Sequence, residues 1–153
     1  MGSIRLEIPE LFISCLTEVT QQVTGFPMEG SVKQSRVQDD VRCVNIKSEG
    51  VFRSVMSFQM EQSLVEAILR GMNLKESASA ELRRMYLGEY VNILSGHAIT
   101  RINNLTGKFS RLTVPEIKNI KEYETYPFQN TCIVYFTSNY GNMKLEMNFE
   151  MDC

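Results

Sequence analysis

The chain has no tryptophan, one histidine (His97), four prolines and four cysteines in 153 residues. The cysteines, Cys15, Cys43, Cys132 and Cys153, form no C-x-x-C pair. With a single histidine to add, they lack the clustered spacing of a zinc site. The first three sit in apolar stretches and read as small buried hydrophobes of a reducing cytoplasm. A Cys–His nucleophilic pair would need a third, orienting group, and none is in view. An excess of either sign of charge is also lacking: 16 Lys and Arg against 18 Asp and Glu leave a formal net charge of −2. That gives no electrostatic reason to expect nucleic acid or anionic lipid as the partner. No apolar run approaches the roughly 18 residues of a membrane helix, and the N-terminus has no h-region of a secretory signal. The expectation is a cytoplasmic protein without a membrane span or a metal of its own.

What is present is ordinary for a globular chain: 43% hydrophobic and 22% charged residues, enough to bury a real core in one domain. Phe12, Cys15, Leu16, Val19 and Val23 recur at helical spacing and predict a helix over 8–24, opened by Pro9 in its first turn and capped by Gly25. Strands are expected at about 30–37 and 41–47. Ser48-Glu49-Gly50 then reads as a turn before a strand over 51–60. Helices follow at 61–72 and about 79–105, the second closed by Gly107, then strands near 108–114, 131–137 and 142–151. In the last of these, Met143, Leu145, Met147, Phe149 and Met151 alternate with Lys144, Glu146, Asn148, Glu150 and Asp152. A slip of one residue would expose the whole apolar set, so its register is well specified.

The two halves share a plan. LTEVTQQVTG (16–25) aligns without gaps on LGEYVNILSG (87–96), and CVNIKSEG-VFRSVMSF (43–58) follows the scheme of CIVYFTSNYGNMKLEMNF (132–149). The reading is a helix and three strands used twice: a first repeat of about 8–60, a linking helix at 61–72 and a second repeat of about 79–151. This predicts an α+β fold, an antiparallel-rich sheet with long helices packed on it and an approximate twofold relation between the repeats.

At about 100° per residue, Leu87, Val91, Leu94, Ala98, Ile102 and Leu105 gather on one side of the long helix, the stripe expected against the sheet. Glu89 lies nearly opposite, Asn92 one turn along, and Gly88, Ser95 and Gly96 beside them. Residues three apart are surface neighbours, so a carboxylate and a carboxamide here can act on one bound object. A glycine costs a helix interior about 1 kcal/mol relative to alanine. Two on this polar face let another surface approach the backbone. Glu18 and Gln21 hold the same positions in the first repeat.

The stretch Gly88-Glu89-x-x-Asn92-Ile93-x-x-Gly96-x-Ala98 resembles the signature helix of the CheC/CheX family of chemotaxis phosphatases. The likeness runs over most of the chain, through Ser57-Phe58 and the Val114-Pro115 loop to the closing hairpin, and the single full motif is nearer CheX than CheC. The strand reads VFRSVM before Ser57, the loop reads Leu112-Thr113-Val114-Pro115, and His97 follows Gly96; all three depart from the usual pattern. The resemblance implies a phosphatase for the aspartyl-phosphate of a CheY-like response-regulator receiver domain. Asn92 would position the attacking water, Glu89 would pair with the receiver's active-site lysine, and Gly88, Ser95 and Gly96 would meet the partner. Magnesium would belong to the receiver, with no cofactor on this chain. The resemblance also implies a homodimer. Glu18 and Gln21 would be a degenerate second site. The alternative is a non-catalytic docking module of the same fold.

Overall fold

The computed structural model describes residues 7–38, 41–118 and 128–152. Helix α1 spans Ile8–Thr24, with Pro9 in its first turn and Gly25 (φ 83°) as a left-handed cap whose N–H returns to the Gln21 carbonyl. Strands β1 (Glu29–Ser31), β2 (Val41–Gly50) and β3 (Phe52–Glu61) follow. Helix α2 spans Gln62–Gly71. The long helix α3 spans Ala80–Thr106; Ser79 caps it by accepting the Leu82 N–H, and Gly107 ends it. Strands β4 (Ser110–Leu112), β5 (Glu116–Lys118), β6 (Asn130–Ser138) and β7 (Gly141–Met151) complete the described chain. None of its helices is long and apolar enough to cross a membrane.

Three local expectations need correction. The strand expected over 30–37 is only Glu29–Ser31. The Ser31 hydroxyl accepts the Lys33 N–H at 3.0 Å, a local turn that competes with the ladder, and the Gln38 N–H goes to the Glu61 carboxylate instead of a neighbouring strand. The turn expected at Ser48-Glu49-Gly50 falls later, because β2 runs through Gly50. Ser48 is buried, its hydroxyl bonded to the Phe52 carbonyl and the Ser54 hydroxyl. Gly50 takes φ 109°, and a Cβ there would lie 2.4 Å from the Phe109 carbonyl oxygen. Finally, the strand expected over 108–114 shortens to 110–112, and a further strand, β5, pairs with β2 beyond Pro115.

The seven strands pair antiparallel in the order β1-β6-β7-β3-β2-β4, with β5 also on β2. The main order is palindromic under exchange of the repeats. The β3–β7 pair lies at the centre, each second strand lies outside it, and each first strand pairs with the other repeat's second strand. In β3 and β7 the register sets Phe58 against Leu145 and Met56 against Met147. Their side chains, with Phe52, Phe149, Val44, Ile46, Val134 and Phe136, form the buried face under the helices. Each such burial is worth about 1.5–3 kcal/mol. Phe52 lies between Phe12 of α1 (ring centroids 6.2 Å) and Phe149 of β7 (5.4 Å), joining the layers. Cys15 and Cys43 are buried and Cys132 half-buried.

The stripe of α3 is buried at Leu87, Val91, Leu94, Ala98 and Ile102 but not at Leu105, which is 54% exposed. That last turn carries the chain to the Gly107 cap and back into β4, beyond the helix's apolar seat. Tyr90 fixes the rotation of α3: its hydroxyl lies 2.7 Å from the Thr20 hydroxyl of α1, in a fully buried contact between the two long helices.

Candidate functional site

With Tyr90 and Val91 turned inward, Glu89 is exposed and Asn92 half-exposed on the opposite side of α3. Neither side chain makes a hydrogen bond or ion pair within the described residues. A free carboxamide offers one acceptor oxygen and two N–H donors; a free carboxylate accepts only. Among the described residues, both therefore keep their hydrogen-bonding groups unused. They line an open groove of about 830 Å³ with Gly88, Arg84 and Met85 on the helix side and residues 112–115 and 117 opposite.

The far wall is held by the sheet. The Thr113 N–H donates to the Lys47 carbonyl at 2.8 Å, and the Lys47 N–H to the Thr113 hydroxyl at 3.1 Å. Ile117 pairs with Val44 through β5. Val114 and Pro115 bridge these anchors, and Val114 is 82% exposed at the rim. Met85, 64% exposed, faces it from one turn before Glu89. Arg84 and Met85 belong to the site without being part of any motif; their i, i+4 relation to Gly88 and Glu89 is the signal that marks them in the sequence. Ile117 had none, because it arrives through a three-residue strand.

Internal packing does not account for the glycines. A Cβ on Gly88 would meet only Ile117 Cδ1, at 4.0 Å, and one on Gly96 would meet nothing within 4 Å. Ser95 departs from expectation. It is 0% exposed, not beside Asn92 on the open face, and its hydroxyl has no hydrogen-bond partner among the described residues. The flank of the helix it occupies is covered further along, where Ile99 is buried and Asn103 donates to the Ser110 carbonyl of β4 at 3.1 Å. Ser95 is thus out of a partner's reach, whereas Gly96 remains half-exposed. His97 is exposed.

The first repeat presents its pair differently. Glu18 and Gln21 are exposed, but both have internal contacts. Glu18 lies 3.8 Å from Arg101, and the Gln21 amide donates to the Gly25 carbonyl at 3.1 Å, bonding to the end of α1. Among the described residues no three His, Cys, Asp or Glu side chains gather as a metal site. Burial pushes the Tyr90 phenol well above its usual range and the Cys132 thiol up to about 11.

No protein-family model matches the chain, and no curated protein matches it in sequence. Solved structures do. The chemotaxis protein CheX of Vibrio vulnificus is 21% identical with a TM-score of 0.72, over 94% of this chain and 99% of that one. A chain of the CheX–CheY–BeF3–Mg2+ complex from Borrelia burgdorferi is 15% identical with a TM-score of 0.68, over 92% and 96%. Thermotoga maritima FliY is 14% identical with a TM-score of 0.66, over 99% and 91%. At these identities the likeness is one of fold: the chain has the α+β fold of CheX-type proteins.

Proposed function

We propose that the chain is a phosphatase acting on the aspartyl-phosphate of a CheY-like receiver domain in chemotaxis or two-component signalling. The observation that carries this reading is that Glu89 and Asn92, one turn apart on an open helix face, are unpaired among the described residues, in a fold shared with a protein solved in complex with CheY. In the first repeat, by contrast, Glu18 and Gln21 have internal partners.

An acyl phosphate is already activated, so its hydrolysis is limited mainly by holding a water in line with the phosphorus. The Asn92 amide oxygen would accept a hydrogen bond from that water, with its N–H donors left to face the phosphoryl oxygens. The water oxygen forms the new bond to phosphorus while the bond to the aspartyl carboxylate breaks. The carboxylate is released, and the water's protons leave with inorganic phosphate and solvent. Glu89 would accept from an ammonium on the receiver and fix the register of docking. Magnesium belongs to the receiver in this reading, and this chain supplies no ligand for it.

The test is the decay of radiolabelled aspartyl-phosphate on a CheY-like receiver from the same organism, in the presence of the wild-type chain or of Asn92→Ala. Acceleration by wild type that falls about 10²-fold or more in the variant is the expected result. Undiminished acceleration by Asn92→Ala would overturn the assignment of the water-positioning role. Receiver binding without any acceleration by wild type would favour a docking module, a reading to which the exposed Val114 and Met85 at the rim also lend themselves.

A further inference from the structure

A second cavity, of about 300 Å³, opens beside the groove and shares Arg84 and Ile117 with it. Its floor is apolar, including Val65, Leu69 and Leu87, and its rim carries Arg42, Arg83 and Arg84. Three guanidinium groups from β2 and α3 thus converge in a chain whose formal net charge is −2. Two of them are anchored on α2. Arg83 forms an ion pair with Glu66, and the Arg42 Nε–H donates to Gln62 Oε1 at 3.0 Å. Arg84 is exposed and has no hydrogen-bond or ion-pair partner among the described residues.

We infer that this arginine-rimmed cavity is a second contact for the docked receiver and takes a carboxylate side chain from the receiver's surface, with Arg84 as the residue that engages it. The inference rests on the phosphatase reading for the identity of the partner. Continuity supplies the argument for a single occupant, since Arg84 lines the same groove wall, on the same helix, as Gly88 and Asn92. Charge complementarity supplies the chemistry: a planar guanidinium on a semi-rigid rim matches a carboxylate, and the apolar floor accepts its methylenes or an apolar neighbour. At 1.5 Å rise per residue, Arg84 lies about 12 Å along α3 from Asn92. The acidic group is therefore expected on the receiver surface flanking its active site and not within it. Such a contact selects among receivers without entering the chemistry.

The experiment measures KM and kcat for dephosphorylation, and Kd for receiver binding, with wild type, Arg84→Gln and Arg84→Glu at low and moderate salt. Charge reversal is expected to raise KM and Kd by about tenfold or more, to leave kcat within about twofold, and to flatten their salt dependence. Lysine substitution of one surface acid on the receiver should then restore binding to Arg84→Glu. Because Arg84 is exposed, thermal melting should not shift, which separates lost docking from lost folding. Values of KM and Kd for Arg84→Glu within about twofold of wild type would overturn the inference. Were wild type to bind the receiver without hydrolysing it, the phosphatase reading would fail, while the Kd comparison would still decide the role of Arg84.

Discussion

At the scale of single residues, glycines that look alike in the sequence have opposite reasons to be there. Gly50 is required by the fold: with φ 109° and a carbonyl oxygen 2.4 Å from where its Cβ would stand, no side chain fits. Gly88 is helical, with only a van der Waals contact awaiting a methyl group. Gly88→Ala should therefore stabilise the isolated protein by about 0.5–1 kcal/mol, because alanine favours the helix and restricts the unfolded chain. It should also lower kcat/KM against a phosphorylated receiver, because the methyl group projects into the groove. Chemical denaturation and phosphate-decay assays on the same preparation check both; a variant that is more stable and equally active would detach Gly88 from docking. The sequence showed Gly88 and Gly96 on the polar face of the long helix, since helical periodicity alone settles that. It could not show Ser95 buried, because a serine beside a polar helix face carries no apolar signal of its own.

At the scale of elements, orientation of the site depends on one buried polar contact. Tyr90 follows Glu89 directly, so the turn of α3 that buries its phenol against Thr20 is the turn that presents Glu89 and Asn92 outward. Tyr90→Phe would leave the Thr20 hydroxyl buried between the helices without that partner, and should cost about 1–3 kcal/mol. Urea denaturation measures it. Combined with Thr20→Val, the loss should be smaller than the sum of the two single losses, because both remove one interaction. Additive losses would show that the hydroxyl pair does not hold the helices together. Elements with long period-two or helical patterns were the most legible, β7 and α1 above all, although β2 runs three residues past its expected end. The other misses were short strands. Residues 33–36 lack an alternating apolar set, and β5 has three residues after a proline, so tertiary pairing alone makes it a strand.

At the scale of the whole molecule, the palindromic strand order gives both long helices equivalent seats, yet only one carries an open Glu-x-x-Asn pair. The difference arises where the repeats diverge. Helix α1 stops at Gly25, and its terminal carbonyl draws the Gln21 amide to itself. The aligned Gly96 lies inside a helix that continues for ten more residues, so the Asn92 amide has no exposed carbonyl at a terminus to cap. Arg101, in that extension, reaches back to Glu18 and to the Ser14 hydroxyl. The longer second helix thus frees its own pair and occupies the other. The sequence alignment found the equivalence of positions; the two fates depend on helix length and cross-repeat contacts that no single repeat encodes. A double substitution, Glu18→Ala with Gln21→Ala, should accordingly leave the rate of receiver dephosphorylation within about twofold of wild type, while exposed contacts of this kind contribute no more than about 1 kcal/mol to stability. A loss of activity comparable to that of Asn92→Ala, with melting unchanged, would make the first repeat a second working site and the symmetry functional.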